Sequence, residues 1–80
     1  MILDYFGPFP NATFGYHKDG SNDEYFGKAA KGAKTSDPRW MIAKQKFTGL
    51  NWIIVYPNGD DSPKYVWDLV ESYIYRELGT

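Results

Sequence analysis

The chain has no cysteine, a single histidine and few aliphatic side chains, and each shortage removes a class of function. Without thiols there is neither a disulfide framework nor a thiolate metal site. His17 alone cannot build a histidine-based zinc centre within one chain. A net charge of −1 gives no global attraction toward nucleic acid or an anionic membrane. The longest unbroken apolar run, Trp52 to Tyr56, is far short of the ~20 residues needed to cross a bilayer as a helix. The opening MILDYFGPFP has no basic region, and Asp4 and two prolines break its apolar character, so it does not read as a secretory signal.

What the chain does have is aromatic side chains, which make up 19% of its 80 residues. A chain of this length forms one small domain and buries only about 60% of the surface that its unfolded form exposes. Large flat side chains must therefore supply the burial that aliphatic residues usually provide. Charge is uneven along the chain: Lys28, Lys31, Lys34, Arg39, Lys44 and Lys46 cluster around Asp37, whereas Asp60, Asp61, Asp68, Glu71 and Glu77 outweigh Lys64 and Arg76. Such ends can pair within one subunit or between neighbours.

The stretch Trp40 to Tyr56 reads as a β-hairpin, with β-branched and aromatic runs on either side of a Thr48-Gly49-Leu50-Asn51 turn. Trp40 and Ile42 point to one face and Met41 and Ala43 to the other. Trp52 to Tyr56 is apolar on both faces, as in a strand covered on both sides. A turn centred on Gly49-Leu50 pairs Phe47 with Trp52, and a slip of one residue pairs Lys46 with it instead. Tyr25 to Ala30 is a further strand, and Gly32 to Pro38 is a loop by composition.

Residues 1–24 read as an extended aromatic arm followed by a polar turn, and residues 25–80 as a small β domain. The arm carries Tyr5, Phe6, Phe9 and Phe14 on a segment too interrupted by proline to be a central strand, so it packs either along its own domain's edge or onto a neighbour. Two readings remain open for the C-terminal stretch. Ser62-Pro63 is a good helix start, and Val66, Leu69, Val70, Tyr73, Ile74 and Leu78 keep helical spacing over 63–78. Alternatively, a helical turn or short helix near 63–70 leads into a final strand containing Tyr73 and Tyr75, which are strand formers.

Several patterns fail as chemical sites. Gly27 to Thr35 lacks the lysine directly after the second glycine that a phosphate-binding loop requires, and Asp37-Pro38 ends any helix there. Asp19, Ser21, Asp23 and Glu24 alternate as calcium ligands do, but glycine is missing from the sixth position and glutamate from the twelfth. Asp60, Asp61 and Asp68 are the remaining carboxylates for catalysis, and with no cysteine and one histidine the expectation is a non-enzyme with no catalytic residues, cofactor or metal. Trp40, Trp52 and Tyr56 beside Lys44 and Lys46 would suit single-stranded nucleic acid, but the overall charge argues against that partner.

Tyr25-Phe26-Gly27-x-Ala29, then Gly32, Thr35-Ser36, Trp40-x-Ile42-x-Lys44, Asn58-Gly59-Asp60 and Val66-Trp67-Asp68 resemble the pattern of short, mostly uncharacterised proteins encoded by tailed bacteriophages. The resemblance covers about two thirds of the chain and excludes the first 24 residues. One departure is that Leu69, Val70 and Glu71 follow Val66-Trp67-Asp68 where the family continues with polar residues that include an arginine. The resemblance implies a structural part of a virion, in head, connector or tail, made in the host cytoplasm and assembled with other virion proteins and with copies of itself in a symmetric oligomer or lattice. The alternative is a non-virion phage protein that binds a host factor or single strands. The resemblance favours the second reading of the C-terminal stretch, and the expected fold is mainly β, an antiparallel sheet or barrel-like meander of four or five short strands with a helical turn or short helix near 63–70; the alternative is α+β with a C-terminal helix over 63–78. Tyr25, Trp40, Ile42, Val66 and Trp67 are expected in the core. Tyr5, Phe6, Phe9, Phe14, Trp52, Ile54, Tyr56, Leu69 and Tyr73 are expected at interfaces.

Overall fold

A computed structural model describes residues 12–19 and 23–80. Their strands are β1 (Ala12–Lys18), β2 (Glu24–Ala30), β3 (Pro38–Phe47), β4 (Trp52–Pro57), β5 (Tyr65–Val66) and β6 (Tyr75–Arg76), with a 3-10 turn at Trp67–Leu69. They form one six-stranded sheet in the order β1-β2-β3-β4-β6, with β5 also paired to β3. Every pairing is antiparallel. The protein is thus mainly β, with six strands where four or five were expected.

β3 organises the sheet, because it is the longest strand and is paired on both sides. Its second half runs beside β2 and β4, while Pro38 and Trp40 pair with Val66 and Tyr65 across a register irregularity. The hairpin takes the register that places Phe47 opposite Trp52. Thr48 N–H donates to the Asn51 carbonyl at 2.9 Å, and Gly49, at φ +93°, makes the reversal that a side chain would resist. That closing bond selects this register over the slipped one.

Alternation along the strands divides the sheet into two faces. One carries Tyr25, Gly27, Ala29, Trp40, Ile42, Lys44 and Val55, and the segment from Tyr65 to Arg76 folds back over it. Tyr25, Ala29, Trp40, Ile42, Tyr65 and Val70 form the main buried cluster, with Trp67, Tyr73 and Tyr75 packed on it. The expected core residues Trp40 and Ile42 are 1% and 0% exposed, and Tyr25 is buried as well. Val66 and Trp67 are only half-buried.

Trp67 has a seat made of missing side chains. Gly15 and Gly27 are directly opposite each other on β1 and β2, and a Cβ at either would lie 2.7 or 2.6 Å from the Trp67 ring. The two glycines make a dip into which the indole settles, with its centroid 5.5 Å from that of Trp40. Trp40 Nε1–H donates to the Lys34 carbonyl at 3.0 Å, which satisfies the polar end of a ring that is otherwise enclosed.

The C-terminal stretch follows the reading of a helical turn leading into a final strand: Tyr65 and Val66 are drawn onto β3, a single 3-10 turn follows, and two-residue β6 comes after it, so the alternative helix over 63–78 does not form. The reason is tertiary. Val66 N–H donates to the Tyr73 hydroxyl at 2.8 Å, and the Tyr75 hydroxyl donates to the Val70 carbonyl, so the tyrosines brace an irregular path. Leu69, Ile74 and Leu78, half of the helical stripe, are left exposed. Within the span 1–24, Ala12–Lys18 pairs with β2 along its whole length as an edge strand of its own domain, one of the two placements considered for the arm, and this strand takes in Tyr16 to Lys18, which read as a polar turn. The expected placement of Tyr5, Phe6 and Phe9 falls outside the described residues.

Candidate interaction surface

The covered face uses its polar groups internally. Burial works against the charge on Lys44, but contact with Tyr25 and the carboxylate of Asp23 outweigh it, and the pKa of the amine is raised. Its Nζ lies 5.2 Å and 5.4 Å from the ring centroids of Tyr25 and Tyr75 and 3.4 Å from Asp23 Oδ2. This ammonium group is engaged by rings and a carboxylate. His17 Nε2 meets Glu71 Oε2 and ties β1 to the C-terminal segment.

A second polar knot sits at the turn after β4. Asp60 receives the Lys64 amine at 2.9 Å and the backbone N–H and hydroxyl of Ser62, each also at 2.9 Å, while the Tyr65 hydroxyl stands 3.0 Å away. The lysine contact, then the Ser62 bonds, hold the Asp60 carboxyl well below the usual carboxylate range. These groups lock a turn. Among the described residues, no cluster of three or more histidines or carboxylates stands ready for a metal, and no helix is long and apolar enough to cross a membrane.

The opposite face is aromatic. By register it carries Phe14, Tyr16, Phe26, Met41, Phe47, Trp52, Ile54 and Tyr56. Phe26, Ala43 and Tyr56 are buried there, with Met41 and Ile54 against them. Lys28 is buried on this face too, and that burial lowers its pKa. Toward the hairpin tip the face becomes open. Phe47 and Trp52 stack with centroids 4.9 Å apart and remain 41% and 47% exposed, and Leu50 at the turn is 91% exposed.

Beside this tip, no described strand pairs with the outer edge of β4. Thr48 and Asn51 are hydrogen-bonded, so alternation of an antiparallel ladder directs the main-chain groups of Ile53 and Val55 toward β3 and those of Trp52 and Ile54 outward. β6 takes the edge only at Tyr56 and Pro57. From Trp52 to Val55 no described strand occupies it. Where β6 leaves off, Ile53, Ile54, Tyr56, Glu77 and Leu78 line an open groove of about 420 Å³.

The structure therefore distributes the expected interface residues unevenly. Phe14, Trp52 and Leu69 are exposed and Ile54 is half-buried beside the groove. Tyr56 is only 2% exposed, and Tyr73 is occupied in bracing Val66, so neither ring is offered to a partner. The stacking platform considered for nucleic acid is not assembled: Trp40 is buried on the face opposite Trp52, and Lys44 is held by Tyr25, Tyr75 and Asp23. Phe47, Leu50, Ile53 and Leu78 belong to the surface but were not singled out from sequence. An apolar Leu50 inside a turn was the available signal. Scanned against models of protein families and searched against curated proteins and solved structures, the chain matches none.

Proposed function

We propose that this protein is a structural assembly component, a non-enzymatic part of a bacteriophage virion that joins other virion proteins and copies of itself through its hairpin tip and the adjoining open edge. The observation that carries the reading is the exposed apolar tip, where Phe47, Leu50 and Trp52 stand in solvent beside a strand edge that no described strand pairs. Burying that tip against a partner would recover free energy that a single small chain leaves unused. The virion setting rests on the resemblance in Tyr25 to Ala29, Trp40 to Lys44 and Val66 to Asp68. Mass spectrometry of purified particles tests it: the protein is expected at a fixed ratio to other virion proteins, and its absence from particles would overturn the setting. Crosslinking in those particles is expected to place Leu50 or Trp52 against a neighbouring chain.

A further inference from the structure

We infer that the open edge of β4 is a self-association seam, at which two copies pair antiparallel across a two-fold axis through Trp52. The inference rests on the assembly reading above and names the partner for that surface as a second copy of this chain. Its basis is the run Leu50-Asn51-Trp52-Ile53-Ile54-Val55, which brings no charged side chain to the edge and contains no proline. Soluble proteins usually guard an exposed edge with charge, proline or a bulge, and none of these protects Trp52 to Val55. Both copies can therefore approach without like-charge repulsion at the seam.

Register limits how the edges can meet. The outward-facing residues are Trp52 and Ile54, and β6 blocks the edge from Tyr56 onward. Setting Trp52 opposite Trp52 of the second copy lets the two exchange main-chain hydrogen bonds at the axis. It also places Leu50 of each copy opposite Ile54 of the other, two residues, or roughly 7 Å, short of the block. Leu50 then lies beside the groove lined by Ile53, Ile54, Tyr56, Glu77 and Leu78, a mixed lining whose Ile53, Ile54 and Leu78 offer aliphatic contact to a side chain that is 91% exposed in one copy. A two-fold axis perpendicular to the sheet keeps the same faces aligned, so the Phe47–Trp52 stacks of both copies join into one aromatic strip. A seam this short falls below the roughly 1,200 Å² of total buried surface typical of lasting pairs, so a weak, concentration-dependent dimer is expected.

Sedimentation equilibrium of the full chain, with circular dichroism to confirm folding, provides the test. The native chain should dimerise with rising concentration. Trp52→Lys and Trp52→Glu should each weaken the dimer at least tenfold by setting like charges across the axis, and their equimolar mixture should regain association. Because Trp52 also stacks on Phe47, a chemically synthesised chain with an N-methylated Ile54 amide offers a second probe, removing an outward N–H while leaving every side chain in place. It should weaken dimerisation as well. A native chain that stays monomeric into the millimolar range overturns the seam, even if particles contain the protein and the assembly reading stands. Dimers of undiminished strength in both charged variants overturn it too, since association would then use another surface. Loss of the protein from particles while the seam behaves as expected would count against the virion setting alone.

Discussion

The covered face of the sheet and the hairpin tip use aromatic side chains in opposite ways. On the covered face the rings are closed in by the chain itself: Trp67 sits in the dip left by Gly15 and Gly27, Trp40 lies beneath it, and the hydroxyls of Tyr73 and Tyr75 support the loop that carries Trp67. On the other face the rings grow more exposed toward the hairpin tip, ending in the Phe47–Trp52 pair and Leu50. Composition alone does not separate a structural aromatic from one kept for a partner. What separates them is whether neighbouring parts of the chain close over the ring, as they do for Phe26 and Tyr56 on this second face and do not for Phe47 and Trp52 at the tip.

The sharpest break of this contrast is Trp40→Ala, which should cost about 3 to 5 kcal/mol in urea unfolding, since it empties the most enclosed ring position of the covered face. Gly27→Ala comes next, with an expected loss of about 1 to 3 kcal/mol, because its methyl group would press on the Trp67 ring. Combining it with Trp67→Leu should cost less than the two losses added, as both changes act on one contact. Additive losses would show that Trp67 is not seated on Gly27.

The Asp60 knot gives a smaller effect with a defined pH window. Its folded-state pKa is depressed, so its stabilisation is complete above the ordinary value of 3.8 and is lost as pH falls below it toward the folded value. Asp60→Asn should flatten the stability profile on that acid side, measured by thermal melts from about pH 5 downward. The smallest effect on folding belongs to the hairpin tip: Trp52→Ala should cost about 1 kcal/mol or less, the value of one exposed aromatic contact. Its consequence for association should be much larger. A loss as great as that of Trp40→Ala would erase the distinction between the covered face and the tip.

Much of the sheet was legible because it depends on local rules. The β-branched and aromatic runs before and after Thr48 to Asn51 form β3 and β4, and Tyr25 to Ala30 lies within β2. Gly49 and the turn around it even narrowed the register to two choices. The surface was less legible. Trp52 and Phe14 were expected at an interface and are exposed, but Tyr56 had the same apolar character in the same strand and is buried. Phe47 and Leu50 complete the tip only because the hairpin extends beyond the last β2–β3 pair, Glu24 with Gln45.

By itself the sequence determined that this is a β protein built on a hairpin, with no thiol chemistry and no second histidine. Strand propensity and turn chemistry act between near neighbours, so they can be read from the order of residues. Only the tertiary structure decided the path from Tyr65 to Thr80. There, helical spacing lost to pairing with β3, to the seat between two glycines and to the tyrosine braces, all of them contacts between residues distant in the chain. The same long-range packing decided that the covered face closes on itself and that no described strand pairs with β4 from Trp52 to Val55.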